Sequence, residues 1–171
     1  MGNSGYLSLT LCADFKLENT QYQSFTGEYN NSLDGKNRLN IPAKFRKALD
    51  PINDRTFVLT RGFDQCLLLY PLNEWQEVET QLSHLSSIRS RDRNFVRSIT
   101  RHATPVQYDG QVRIQISEVL INFSGIQKDV SVIGMIKKIE LWNPKVLNDQ
   151  DKLNKNVIDN DFEDLANEIN F

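Results

Sequence analysis

Apolar residues along this chain fall into short runs with two distinct periods. Arg38-Leu39-Asn40-Ile41 and Arg113-Ile114-Gln115-Ile116 alternate polar with apolar positions, as in strands with one face on a core and one in water. Thr56 to Thr60, Cys66 to Tyr70, Val130 to Ile133 and Lys138 to Trp142 are nearly continuous apolar runs, which predicts more deeply buried strands. Leu72, Trp75, Val78, Leu82, Leu85 and Ile88 recur at helical spacing, as do Phe95, Val96 and Ile99. That stretch therefore reads as helical, broken near Ser86 to Asp92. The same spacing of Leu153, Val157, Ile158, Phe162, Leu165 and Ile169 predicts a helix in an otherwise acidic and amidic tail. Its apolar face would dock on its own chain or on a neighbour.

The strand runs form two copies of one unit. Ser32-Leu33-Asp34-Gly35-Lys36-Asn37-Arg38-Leu39-Asn40-Ile41 is echoed by Gln107-Tyr108-Asp109-Gly110-Gln111-Val112-Arg113-Ile114-Gln115-Ile116, with Asp, Gly, Arg and the final Ile in register. The Asp-Gly before each alternating run reads as a tight hairpin turn. Pro42 then opens a short helix with Phe45, Ala48 and Leu49 on one side, and in the second copy Ser117 replaces that proline as an N-cap. A single unit of roughly 45 residues buries too little surface to be stable, so the two copies are expected to pack together.

A length of 171 residues leaves room for one moderate domain or two small ones and excludes a large multidomain enzyme. The net charge of −2 gives no bulk signal of a nucleic-acid partner, so any such surface must be local. Cys12 and Cys66 lack partners at zinc spacing, and His84 and His102 belong to no ligand cluster, so neither a metal nor a cofactor is expected. Cys66 lies in an apolar run and reads as a buried, inert thiol. No phosphate loop, nucleophile elbow or zinc-protease motif is present, which argues against an enzyme. Met1 to Ser24 has a weakly apolar stretch with no basic residue before it, unlike a signal peptide. No run approaches the ~20 apolar residues of a membrane span, so a cytoplasmic protein is expected.

Local charge carries more. Lys36, Arg38, Lys44, Arg46 and Lys47 stand within twelve positions that hold no acidic residue. On a hairpin loop followed by a helix, such groups can reach phosphates and base edges; a solvated basic face is the equally weighted alternative. Asp-x-x-x-Arg occurs at Asp34 to Arg38 and at Asp109 to Arg113, equivalent points of the repeat. Each Asp can cap its turn and hold its Arg, while the Arg faces a ligand. Arg89, Arg91, Arg93, Arg97 and Arg101 form a second basic group around Asp92, read first as a charged helix in solvent or against an acidic neighbour such as the tail.

Gly27-Glu28-Tyr29, Ser32-Leu33-Asp34, Arg38-Leu39, Ile41-Pro42-Ala43-Lys44-Phe45-Arg46, Phe57-Val58-Leu59-Thr60-Arg61-Gly62 and Leu69-Tyr70-Pro71-Leu72 with Glu74-Trp75 together resemble the MraZ family, over roughly Phe25 to Trp142. The resemblance implies a mainly β fold with α, built from two tandem AbrB-like swapped-hairpin β units packed as a pseudo-dimer, with linker and C-terminal helices. The corresponding segments are an N-terminal extension (1–24), a first repeat (25–72), a helical linker (73–103), a second repeat (104–145) and a helical tail (146–171). It further implies a transcription regulator of the bacterial division and cell-wall gene cluster, cytoplasmic and nucleoid-associated. Its partners would be double-stranded DNA with short direct repeats upstream of its own operon, and further copies of itself in a ring-shaped oligomer. Arg38 and Arg113 would contact DNA, with Lys36, Lys44 and Arg46 as additional candidates, while Asp34, Gly35, Asp109 and Gly110 would order the loops.

The family usually places Gly before the motif Arg, where this chain has Asn37 and Val112. Asn tolerates a left-handed backbone and Val does not, so the second loop is expected to differ in shape. It also carries Gln111 for Lys36, and Glu118 and Ile121 for Ala43 and Arg46, so the first repeat is expected to dominate affinity. An AbrB-like antitoxin or protein-interaction module using the tail helix is the alternative, and a small phosphate-handling enzyme a distant third.

Overall fold

A computed structural model of the chain describes residues 23–154, 165–166 and 168–169. Two mostly polar and exposed segments form strands β1 (Phe25–Ser32) and β5 (Thr104–Gln107), and the apolar runs form β2 (Arg38–Asn40), β3 (Thr56–Arg61), β4 (Leu67–Pro71), β6 (Arg113–Gln115), β7 (Asp129–Ile136) and β8 (Lys138–Trp142). Helices α1 (Ala43–Ala48), α2 (Leu72–Ser83), α3 (Ser90–Thr100), α4 (Glu118–Ser124) and α5 (Pro144–Asn154) follow strands or link the repeats. The continuous runs are buried along almost their whole length in β3 and β4, whereas β1 is mostly exposed beyond Phe25.

The two repeats exchange strands. In the six-stranded antiparallel sheet, ordered β1-β7-β8-β4-β3-β5, the first strand of each repeat lies against the other repeat. β1 pairs with β7 from Phe25↔Ile136 to Ser32↔Asp129, and β5 pairs with β3 from Gln107↔Thr56 to Thr104↔Leu59. Swapping the repeats maps the strand order onto its own reverse, with β4 and β8 meeting at the centre. β2 and β6 form a separate ribbon in which Leu39 faces Ile114.

The expected Asp-Gly hairpin turns are present, closed by Asp34 N to Arg38 O at 3.0 Å and Asp109 N to Arg113 O at 2.9 Å. Beyond the first turn the Leu33↔Leu39 bridge continues this local pairing, and the strands on either side then pair with the other repeat. With three residues each, β2 and β6 are too short to hold a local partner, and pairing with one another buries Leu39 and Ile114 completely.

One core serves both repeats. Phe25, Leu39, Ile41, Phe45, Phe57, Leu59, Ile114, Ile116, Val130, Val132, Ile139 and Leu141 are buried together in it. Each such side chain contributes about 1.5–3 kcal/mol before conformational entropy is counted. Phe45 of α1 packs edge-on against Phe25 at 5.6 Å and Tyr29 at 5.1 Å, which anchors the helix that follows the first loop. In α4 Leu120 takes the equivalent buried place. Ser117 precedes α4 but makes no side-chain cap; its carbonyl accepts the Leu120 and Ile121 N–H groups at 3.0 Å.

The linker periodicity yields α2 and α3, but the break lies earlier than expected, at 84–89, so Leu85 and Ile88 of the expected helical stripe fall within it and are exposed. Asp92 holds the break: its Oδ2 accepts the Ser86 N–H at 3.2 Å, while Ser86 Oγ accepts from Ile88 and Arg89. The expected extension at 1–22 and tail positions Val157, Ile158 and Phe162 lie outside the described residues. Among the described residues no helix is long and apolar enough to cross a membrane.

Candidate nucleic-acid interface

At each repeat the chain leaves an outer strand, turns, and enters the central ribbon, and one aspartate organises the turn. Asp34 Oδ1 accepts the Lys36 and Arg38 N–H groups at 2.9 and 3.0 Å, while Oδ2 accepts the Arg38 guanidinium at 2.7 Å. The first oxygen fixes the loop and the second fixes the arginine. The second repeat copies this: Asp109 Oδ1 accepts from Gln111 at 2.8 Å and Arg113 at 3.0 Å, and Oδ2 takes two guanidinium nitrogens of Arg113 at 3.1 and 2.8 Å. Matching backbone bonds close both turns, Asn37 N to Asp34 O at 3.0 Å and Val112 N to Asp109 O at 2.8 Å. This is a turn followed by a left-handed residue, a common hairpin loop.

The second loop therefore keeps the shape of the first, against expectation. Asn37 has φ 57° and Val112 has φ 65°, so the valine accepts the backbone that the loop demands. Four hydrogen bonds to the Asp109 side chain, two of them charge-assisted, outweigh an unfavourable conformation worth about 1–2 kcal/mol. The glycines do not carry the bend. Gly35 and Gly110 avoid the left-handed region, and a methyl group on either would meet nothing within 4 Å.

Electrostatics agree with this geometry. Partial burial of Asp34 raises its pKa, but the Arg38 and Lys36 N–H groups and the Arg38 guanidinium carry it below the usual carboxylate value. The Arg113 guanidinium, with the Arg113 N–H, draws Asp109 down from 3.8 to about 2. Both carboxylates stay ionised at neutral pH and hold their arginines in place.

The ribbon brings the two loops together. Arg38 pairs with Gln115 and Arg113 with Asn40 across it, and Arg113 Nη1 also reaches Asp34 Oδ2 at 3.5 Å. Two residues missed in the sequence reading complete the link: Asn40 Nδ2 donates to Gln111 O at 3.3 Å, and Gln115 Nε2 donates to Lys36 O at 2.6 Å. Each loop is thus buttressed by an amide from the other repeat. The available signal was that both amides stand two positions after a motif arginine.

The remaining candidates are dispersed. Lys36 is exposed in the first loop. Lys44 donates to Thr26 Oγ1 at 3.3 Å, and Arg46 to Ile41 O at 3.2 Å. Thr26 stands seven strand residues before Leu33, so Lys44 lies roughly 20 Å from the loop. The compact cationic patch suggested by the sequence is divided because α1 runs back along β1. In the second basic group, Arg93 donates to the Ser87 and Ile88 carbonyls, Arg97 to Asn94 and Arg91 to Asp92, which are local structural bonds. Burial, with Glu140 and Asp64 adding to it, pushes the Cys66 thiol up to about 12, as befits an inert core cysteine.

An intertwined pair of β units presenting two aspartate-clamped arginine loops on one ribbon defines a tandem-repeat, pseudo-dimeric β module. The chain belongs to the MraZ family: the family model described as "MraZ protein, putative antitoxin-like" matches it twice, over residues 24–98 and 99–168. It is 43% identical over 121 residues to a protein of Halothermothrix orenii, covering 71% of this chain and 82% of that one. A protein of Pediococcus pentosaceus is 44% identical over 119 residues, covering 70% and 80%. One of Natranaerobius thermophilus is 36% identical over 145 residues, covering 85% and 96%. All three bear the name transcriptional regulator MraZ.

Proposed function

We propose that this protein is a DNA-binding transcriptional regulator whose paired Asp-x-x-x-Arg loops contact duplex DNA. The observation that carries the reading is the pair of guanidiniums, each held by its own aspartate, on one short ribbon. Such pre-ordering lowers the entropic cost of a bidentate contact to guanine or phosphate. The regulator name of its relatives, which denotes no enzyme, supports the same reading. Its sites are short direct repeats upstream of its own operon, in the division and cell-wall gene cluster, and it acts in the cytoplasm on the nucleoid. Assembly of copies into a ring adds avidity, which reconciles strong binding with a net charge of −2.

The test is a binding titration at two salt concentrations, comparing DNA from upstream of the protein's own gene with a scrambled duplex. Wild type is expected to prefer its own DNA, and a folded Arg38→Ala variant to lose that preference. Equal binding of both duplexes by wild type would remove the regulator reading.

A further inference from the structure

Two basic residues outside the motif are brought to the loops by the strand exchange. Leu33, at the foot of the first loop, donates its N–H to Lys128 O at 2.8 Å, and Tyr108, at the foot of the second, donates to Arg55 O at 3.3 Å. Lys128 precedes β7 and Arg55 precedes β3 at equivalent points of the repeat. Each loop is therefore flanked by an exposed cation from the opposite repeat. Among the described residues neither Arg55 nor Lys128 forms an ion pair.

The Arg55 position is built at a conformational cost. Asp54 and Arg55 are consecutive left-handed residues with φ 43° and 59°, where glycine or asparagine would be at ease. The turn is pinned by Gln107 Nε2, 2.8 Å from Asp54 O, and by Thr56 Oγ1 at 3.1 Å from the same carbonyl. The Arg55 guanidinium stands 6.0 Å from the centre of the ring of Tyr108, the residue that precedes Asp109 in the chain. Strain held on a long cationic side chain, next to a loop that has Gln111 where the other has Lys36, points to a use for that side chain.

We infer that Arg55 and Lys128 are flanking phosphate contacts, one beside each loop and each supplied by the opposite repeat. This rests on the DNA-binding reading above. A phosphate contact carries no sequence information, so losing it weakens binding to all duplexes alike. Because each loop gains one such contact, the first keeps the one-cation excess that Lys36 gives it over Gln111.

Arg55→Gly separates this role from a structural one, because it relieves the backbone while removing the cation. The variant is expected to melt at or above the wild-type temperature. It should bind upstream and scrambled duplexes roughly five- to tenfold more weakly, with the log-affinity against log-salt slope about one unit shallower per subunit. Lys128→Ala should show the same uniform loss. Wild-type binding with unchanged affinity and slope in both variants would overturn the flanking role alone. Failure of the wild type to bind any duplex would overturn both this inference and the reading beneath it.

Discussion

The loops at 34–38 and 109–113 share a backbone but differ in the residue that takes its left-handed position, Asn37 in one and Val112 in the other. A single carboxylate bonding two N–H groups and a guanidinium is a stronger determinant of loop shape than the preference of the residue at the bend. The aspartates also differ. Each holds its own arginine through two nitrogens, but Asp34 Oδ2 also lies 3.5 Å from Arg113 Nη1 of the other repeat. The exchanged strands are unequal as well, with eight paired residues between β1 and β7 but four between β5 and β3.

The largest effect should come from breaking the longer exchange. A methyl group on Gly134 would sit 2.5 Å from the backbone of Phe25 and Thr26, so Gly134→Ala is expected to cost about 3 kcal/mol or more, read as a fall in denaturation midpoint. Next, Arg38→Ala should weaken binding to upstream DNA roughly ten- to a hundredfold, and Arg113→Ala by a smaller factor, because its loop has Gln111 where the first has Lys36. An equal or larger loss for Arg113→Ala would remove the first repeat's dominance.

Acidification probes the clamps. The Asp109 carboxyl titrates at about 2 in the fold against an ordinary 3.8. Its ionised form is therefore the one the fold favours, and the stabilisation is fully present above about pH 4 and lost as pH falls through 2. Slow exchange of the Arg113 side-chain N–H, followed by NMR, should disappear in that window. Smallest of all, Val112→Asn writes the first loop's residue into the second and should stabilise the protein by about 1 kcal/mol. No gain in thermal denaturation would mean that the lost valine packing offsets the relieved backbone.

Six of the eight strands, the linker helices and the two loops were legible because apolar period and repeat register are local properties of the chain, whereas the mostly polar β1 and β5 carry no such period. Which strand pairs with which was not local: nothing in the runs 25–32 or 104–107 says that each lies against the opposite repeat. The roles of Asn40 and Gln115 depend on that exchange, as does the placement of Arg55 and Lys128, so all four escaped the sequence reading. The separation of Lys44 from the loop failed for a related reason, since twelve neighbouring positions cover a strand, a corner and a reversed helix. The Val112 expectation failed because residue preference was weighed without the carboxylate bonds that override it.

The exchange also sets a schedule for synthesis. β1 emerges from the ribosome well before β7, its sheet neighbour among the described residues, which lies about a hundred residues further on. At roughly 5–20 residues per second, Phe25 and the exposed backbone of β1 wait some 5–20 s for a partner. A truncated chain ending before β7 leaves that edge unpaired, so incomplete copies are candidates for pairing with one another and for proteolysis.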